Sequence, residues 1–227
     1  MIFHFPTEAP NATVVLFGGR HHDPAPSALE YSLSRGYRIH YTVLPPSNQH
    51  GKGYQVVASP TEHGNVYSDG ILLAPGTTAT IRSKDCAIVF IKNTVTGYGV
   101  LLHAGRPAMT PNEGGRNIID IALSMVQRER DDPLRVYIRG SICQRCFVHK
   151  TPEGRTLIEP FADRYSGAIN HTDGGLDIPA IIVTQLRQSG VKPQQIDFDS
   201  LCTYEHAGLS SHRRRDPISN LVLVINH

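Results

Sequence analysis

Eight short apolar runs constrain this chain more than any other feature. They are ATVVLF (12–17), YRIHYTVL (37–44), YQVVAS (54–59), GILLA (70–74), CAIVFIK (86–92), YGVLLH (98–103), LRVYIRG (134–140) and LVLVI (221–225). All are short and rich in β-branched or aromatic residues, so each predicts a strand. Clusters of Gly, Pro, Asn and Asp separate them, and NTVTG between CAIVFIK and YGVLLH predicts a hairpin. Two segments show helical signals instead. NIIDIALSMVQRER (117–130) places Ile118, Ile121, Ala122, Met125 and Val126 on one face. LDIPAIIVTQLRQSG (176–190) offers Asp177 as N-cap, Pro179 in the first turn and Gly190 as the stop. A shorter helix is expected over IEPFADRYS (158–166). Strands and helices do not alternate, which predicts an α+β fold with mixed sheets rather than a doubly wound one. The chain shows no internal repeat, low-complexity tract or linker, so residues 1–227 are expected to form a single domain.

Composition narrows the function classes. A net charge of +2 excludes a nucleic-acid binder working through a bulk positive field. No apolar run approaches the roughly 20 residues that span a bilayer, so no membrane partner is expected. The opening MIFHFPTEAP has neither a basic nor a long apolar region and does not read as a signal peptide. Four cysteines are too few for a disulfide scaffold, which predicts free thiols and a cytoplasmic location. Twelve histidines are many for this length and direct attention to a metal.

The residues that fit a metal best are Cys86, which opens one strand, and His103, which closes the next. His50 stands upstream in a turn beside Gly51, and Gly105 lies just past His103. If the three met in space, two imidazoles and a thiol would leave one coordination position open, the pattern of a catalytic zinc. The residues alone equally allow a core thiol with a surface histidine, or a metal-free Cys86 nucleophile with His103 as base. Asp85 reads either as an acceptor behind Cys86 or as a plain strand end. Cys143 and Cys146 form a C-x-x-C with no second such pair and read as structural, while Cys202 reads as a core thiol near the pocket. By charge alone, Arg213-Arg214-Arg215 reads as a solvated loop.

A set of motifs in order adds a resemblance. Gln49-His50-Gly51, Asp69-Gly70, Asp85-Cys86 and His103-Ala104-Gly105 come first. Gly140-Ser141-Ile142 with Cys146-Phe147-Val148, then Leu176-Asp177-Ile178 with Gly190-Val191, follow. Cys202-Thr203 with Ser211-His212-Arg213-Arg214 closes the series. Over about residues 40 to 227 the chain resembles the YfiH/YlmD-type family, also called the laccase-domain or multicopper polyphenol oxidoreductase family. The resemblance implies a fold similar to that of the cytotoxic necrotizing factor deamidases. It also implies Zn2+ held by His50, Cys86 and His103, with copper ranked behind zinc because one mononuclear set lacks the further histidines of a multicopper centre. The implied activity is phosphorolysis of adenosine, inosine or methylthioadenosine, with deamination of adenosine in the same pocket. The implied partners are a small nucleoside and phosphate, the latter gripped by Arg213 and Arg214, with Ser211, Arg20 and Arg106 as further candidates. The alternatives are a Cys–His amidase acting on a peptide-type amide, and a copper polyphenol oxidase. The departures fall on the substrate side. Arg106-Pro107 follows Gly105 where the family has Trp-Arg, the chain has no Trp, and the family's N-terminal motif survives only as Phe17-Gly18-Gly19-Arg20.

Overall fold

The computed structural model describes residues 4–9, 11–45, 56–58, 62–129 and 132–227. Its strands in chain order are β1 (His4–Ala9), β2 (Ala12–Phe17), β3 (Tyr41–Val43), β4 (Val56–Ala58), β5 (Gly64–Val66), β6 (Gly70–Leu73) and β7 (Thr78–Ser83). They continue with β8 (Ala87–Asn93), β9 (Gly99–Ala104), β10 (Leu134–Arg139), β11 (Ile169–Asn170), β12 (Gly175–Leu176), β13 (Ile196–Phe198) and β14 (Asn220–Asn226). The α-helices are α1 (Ala25–Ser34), α2 (Arg106–Met109), α3 (Ile118–Val126), α4 (Pro152–Thr156) and α5 (Ile178–Gln188). The fold is α+β, as the pattern of runs predicts.

Among the described residues, two six-stranded sheets form, both mixed. Sheet 1 has the order β1-β2-β14-β7-β3-β5 and sheet 2 the order β13-β10-β8-β9-β6-β4. They stack face to face, and the alternation along each strand decides which layer a residue joins. Val14, Leu16, Ile81, Val222 and Val224 of sheet 1 meet Ile71, Leu73, Ile88, Phe90 and Leu101 of sheet 2 in one core. The opposite residues of sheet 1, Val15, Phe17, Leu221, Leu223 and Ile225, pack with Ala28 of α1. The outer face of sheet 2, Val89, Ile91, Val100 and Leu102, packs on α3 and α5 through Ile119, Ala122, Ile182 and Leu186. The layers therefore run helix, sheet, sheet, helix. Both faces of the central strands are covered, which is why the sequence shows continuous apolar runs rather than alternation. Each fully buried Leu or Ile contributes about 1.5–3 kcal/mol.

Two helix caps follow the sequence closely. Asp177 accepts from Ala180 N at 2.9 Å and opens α5. Asn117 accepts from Ile119 N while Asp120 accepts from Asn117 N at 2.9 Å, a capping box that starts α3. The helix ends at Val126, short of the expected 130, because its last carbonyl is taken by Asn93 Nδ2 at 2.9 Å and Gln127 turns extended. The expected helix over 158–166 contracts to one 3-10 turn at Glu159–Phe161 around Pro160. The run 37–44 keeps strand pairing only at Tyr41–Val43. No described helix is long and apolar enough to cross a membrane.

Candidate functional site

The hairpin register sets the site. Ala87 pairs with Ala104 and Ile88 with His103, so Cys86, one step before β8, falls opposite Gly105, one step after β9. A Cβ built on Gly105 would stand 2.7 Å from Cys86 Sγ and 3.5 Å from His103 Cε1. A side chain there would fill the space between the thiol and the imidazole. Glycine leaves that space clear, and the chain turns directly into α2.

Asp69 stands behind the imidazole. Its carbonyl accepts His103 N at 2.8 Å, and its carboxylate lies 4.0 Å from His103 Nδ1. Burial alone would push the His103 pKa down. The charge of Cys86, with Asp69 and Cys86 acting as acceptors for the ring, outweighs it and raises the value to about 10. The imidazole is thus held toward Cys86 on one side and Asp69 on the other.

Cys86 is set in place by Asp85. That residue is buried, with backbone φ of 75°, in the left-handed region that a short polar side chain tolerates best. Its carboxylate accepts from Thr203 Oγ1 at 2.6 Å, Ser211 Oγ at 3.0 Å and Arg213 N at 2.9 Å, and its carbonyl accepts from Ile142 N at 2.9 Å. Three residues of the closing motif, more than a hundred positions along the chain, therefore converge on one carboxylate beside the thiol, and Ile142 binds the same residue's backbone. Of the two readings of Asp85, the structure selects the acceptor.

Positive charge flanks this centre. The Arg213 guanidinium lies 5.0 Å over the Phe147 ring and donates to Val148 O at 2.9 Å. Burial lowers the pKa of Arg106, the charge of Cys86 opposes that, and the charge of Arg213 adds to it. His149, packed edge-on to Phe147 with centroids 4.7 Å apart, has its pKa lowered by burial and by the charges of Arg213 and Arg106, with the Gly174 carbonyl opposing. Arg106, Arg213 and His149 thus share one electrostatic neighbourhood with Cys86. His149 follows directly on the Cys146-Phe147-Val148 motif, and only the fold reveals that it belongs here.

The other candidates are placed differently. Arg214 spends its donors inside its own loop, on Thr203 O at 2.8 Å, on Tyr204 O, on Leu209 O and on Asp216 Oδ2 at 2.6 Å. It fixes the loop, and Arg213 beside it faces Phe147 and Val148. Ser211 is fully buried and donates to Asp85. Arg20 donates to Ala207 O at 3.1 Å and contributes to lowering the Asp216 pKa. His50, with Gln49 and Gly51, lies outside the described residues.

A second group of sulfurs flanks Thr203 and Ile142, both of which bond Asp85. The ligand atoms of Cys143, Cys146, Cys202 and Glu205 all lie within 4.8 Å of one another and could hold a metal ion. Burial pushes the Cys202 thiol up, and the Cys146 thiol likewise, with Cys143 adding to the latter. The signal for this group was in the sequence as two pairs of equal spacing, Cys143-x-x-Cys146 and Cys202-x-x-Glu205, but a carboxylate in place of the fourth thiol hides it.

The sequence profile of the multi-copper polyphenol oxidoreductase laccases matches residues 33–225. The chain belongs to that family. A purine nucleoside phosphorylase of Streptomyces coelicolor is 27% identical over 173 residues, which span 73% of this chain and 66% of that relative, just under two thirds of its length. Two solved structures share the fold. YfiH of Bacillus licheniformis superposes with a TM-score of 0.70 at 14% identity, over 96% of this chain and 97% of its own. YlmD of Geobacillus stearothermophilus does so with a TM-score of 0.71 at 17% identity, over 96% and 94%.

Proposed function

We propose that this chain is a zinc-dependent purine nucleoside phosphorylase whose chemistry takes place beside Cys86 and His103. The observation that carries this reading is the clear space over Gly105, faced by a thiol and an imidazole, with Arg106 and Arg213 in the same electrostatic neighbourhood. The donor set suits zinc, since thiolate and imidazole are its preferred ligands and Gly105 leaves room for the ion. Cys86 and His103 would hold the metal with His50 as third ligand, and zinc there would supply a Lewis acid and a bound water of lowered pKa. Asp69 orients the His103 ring, and Asp85 fixes the backbone from which Cys86 projects. Arg106 and Arg213 suit a phosphate dianion, which attacks ribose C1′ as the C1′–N9 bond breaks and the base departs with a proton. His149 donates from Nδ1 to Gly174 O at 3.3 Å, and its lowered pKa leaves Nε2 as a neutral hydrogen-bonding group near Arg213 and Arg106. The name of the Streptomyces relative supports phosphorolysis. Deamination of adenosine, with attack of water at C6 and loss of ammonia, rests on the family resemblance and is a second reaction for the same substrates.

One observation favours a different reading. Cys86, His103 and Asp69 stand in the order nucleophile, base and orienting carboxylate, the arrangement of a metal-free cysteine amidase. Product chromatography from adenosine, inosine and methylthioadenosine, with and without phosphate, decides among these. Free base formed only with phosphate is the expected result. Inosine from adenosine without phosphate marks deamination, and a metal-free protein that consumes no nucleoside sinks the phosphorylase. Arg213→Gln should lower kcat/KM by about 30- to 1000-fold, the loss expected when one charged contact to the transition state is removed. Arg214→Gln should instead lower the melting temperature, because its partners lie in its own loop.

A further inference from the structure

We propose that Cys143, Cys146, Cys202 and Glu205 form a second, closed zinc site that clamps the two loops behind Asp85. The proposal stands on geometry separate from the Cys86 centre and does not depend on the phosphorylase reading.

The four donors come from two turns of the same spacing. In the first, Cys146 N and Phe147 N both donate to Cys143 O at 3.0 Å, which brings the thiols of Cys143 and Cys146 to one side. In the second, His206 N donates to Cys202 O at 2.9 Å and does the same for Cys202 and Glu205. Paired two-residue spacings of this kind build closed tetrahedral zinc sites. The turns already meet, since Cys143 N donates to Cys202 Sγ at 3.4 Å and the Cys146 thiol donates to Glu205 Oε1 at 3.4 Å. A zinc–sulfur distance of about 2.3 Å requires sulfurs roughly 3.8 Å apart. The donor atoms, all within 4.8 Å of one another, need only a small contraction to reach it.

The donors also choose the metal. Three thiolates exclude the hard cations, and a carboxylate disfavours the purely soft ones, which leaves a borderline ion such as zinc. Binding releases the thiol protons, so three thiolates, one carboxylate and Zn2+ carry a net charge of −2. Arg145 Nη2, 3.2 Å from Glu205 Oε1, offsets part of it. Glu205 is exposed and Cys202 buried, so an ion can enter from solvent and close over the innermost sulfur. Closure has a consequence for the first site. Thr203 donates from N to Ser141 O at 3.1 Å and from Oγ1 to Asp85 Oδ1 at 2.6 Å, and Ile142 N donates to Asp85 O. An ion between the turns therefore holds both loops that hold Asp85.

The test uses the full chain carrying Cys86→Ser and His103→Ala, which removes the first site. After gel filtration this variant should retain about one zinc per chain, and adding Cys146→Ser should remove it. Cobalt substitution in the double variant should give an intense thiolate-to-metal charge-transfer band and tetrahedral visible bands. Glu205→Gln, a surface change that leaves every thiol in place, should weaken cobalt binding at least about tenfold. A folded double variant with no zinc and no cobalt band overturns the proposal. So does a disulfide joining Cys143 to Cys146 or Cys202 in protein purified with reductant. Loss of zinc in the double variant together with intact nucleoside turnover in the wild type would break this site while leaving the phosphorylase standing.

Discussion

The two sulfur-bearing clusters are joined through Asp85, which precedes Cys86 and bonds Thr203 and Ile142 next to Cys202 and Cys143, and they are built in contrary ways. At Cys86 the donors come from the ends of two paired strands, and the space between them is kept clear by a glycine. At Cys143, Cys146, Cys202 and Glu205 the donors come from two turns, and they already contact one another. The first arrangement keeps open space between the thiol and the imidazole, with the charges of Arg106 and Arg213 in the same electrostatic neighbourhood. In the second the donor atoms all lie within 4.8 Å of one another. Strand ends give a rigid, spaced pair, whereas short turns fold donors inward.

The contrast breaks most sharply at Gly105. Its φ of −77° is ordinary for any residue, so Gly105→Ala tests space alone. A methyl 2.7 Å from Cys86 Sγ must displace the thiol by several tenths of an ångström or more. Turnover should fall by about 100-fold, as when a reacting group is misplaced by roughly 1 Å, while the melting temperature barely moves. Full activity in Gly105→Ala would remove the cleft from the mechanism.

Asp85 tests whether the two clusters are coupled. Asp85→Ala strands the Thr203 and Ser211 hydroxyls and the Arg213 amide without their acceptor, at a cost of about 2–4 kcal/mol by urea denaturation. Asp85→Asn keeps acceptor oxygen and tolerates the left-handed backbone, so it should recover a good part of that loss. Equal stability of the two variants would mean that the carboxylate is not the joint.

The smallest effect is a pH dependence confined to the Cys86 side. With metal stripped, the raised pKa of His103 favours the folded state while the ring is protonated. That contribution is complete below about 6.5 and disappears as the pH rises through about 10. Denaturation midpoints of the stripped chain should fall across this window, and His103→Gln should flatten the fall. An unchanged slope in the variant would assign it to another group.

The strand pair that frames the site was readable because its signals are local. CAIVFIK and YGVLLH form the β8–β9 hairpin within one residue of the expected ends, with Thr94–Thr96 as the turn. The caps at Asp177 and Asn117 are likewise local. Helix α1 leaves little signal in the sequence, because APSALEYSLS carries three serines and buries only Ala28 and Ser32. Strand β7, TATIRS, is hidden by its polar residues although it is paired on both sides. The roles of Arg213 and Arg214 could not be separated by spacing, since adjacent residues point to different surroundings that only the closed loop defines. For the same reason only the fold brings Glu205 beside Cys143-x-x-Cys146.

Strand β14 has a further consequence. It lies between β2 and β7, bonded to both, so sheet 1 remains two separate pieces until residues 220–226 arrive. Asn220 then receives Gly19 N across 201 residues, and Asn226 receives the buried Lys92 ammonium across 134. Such long closures are slow, and until they occur two apolar sheet edges stand open to other chains. The strand behaves as a keystone set after the arch is raised. A chain lacking it should aggregate during production, and a synthetic peptide covering 220–227, supplied during refolding, should rescue the missing piece.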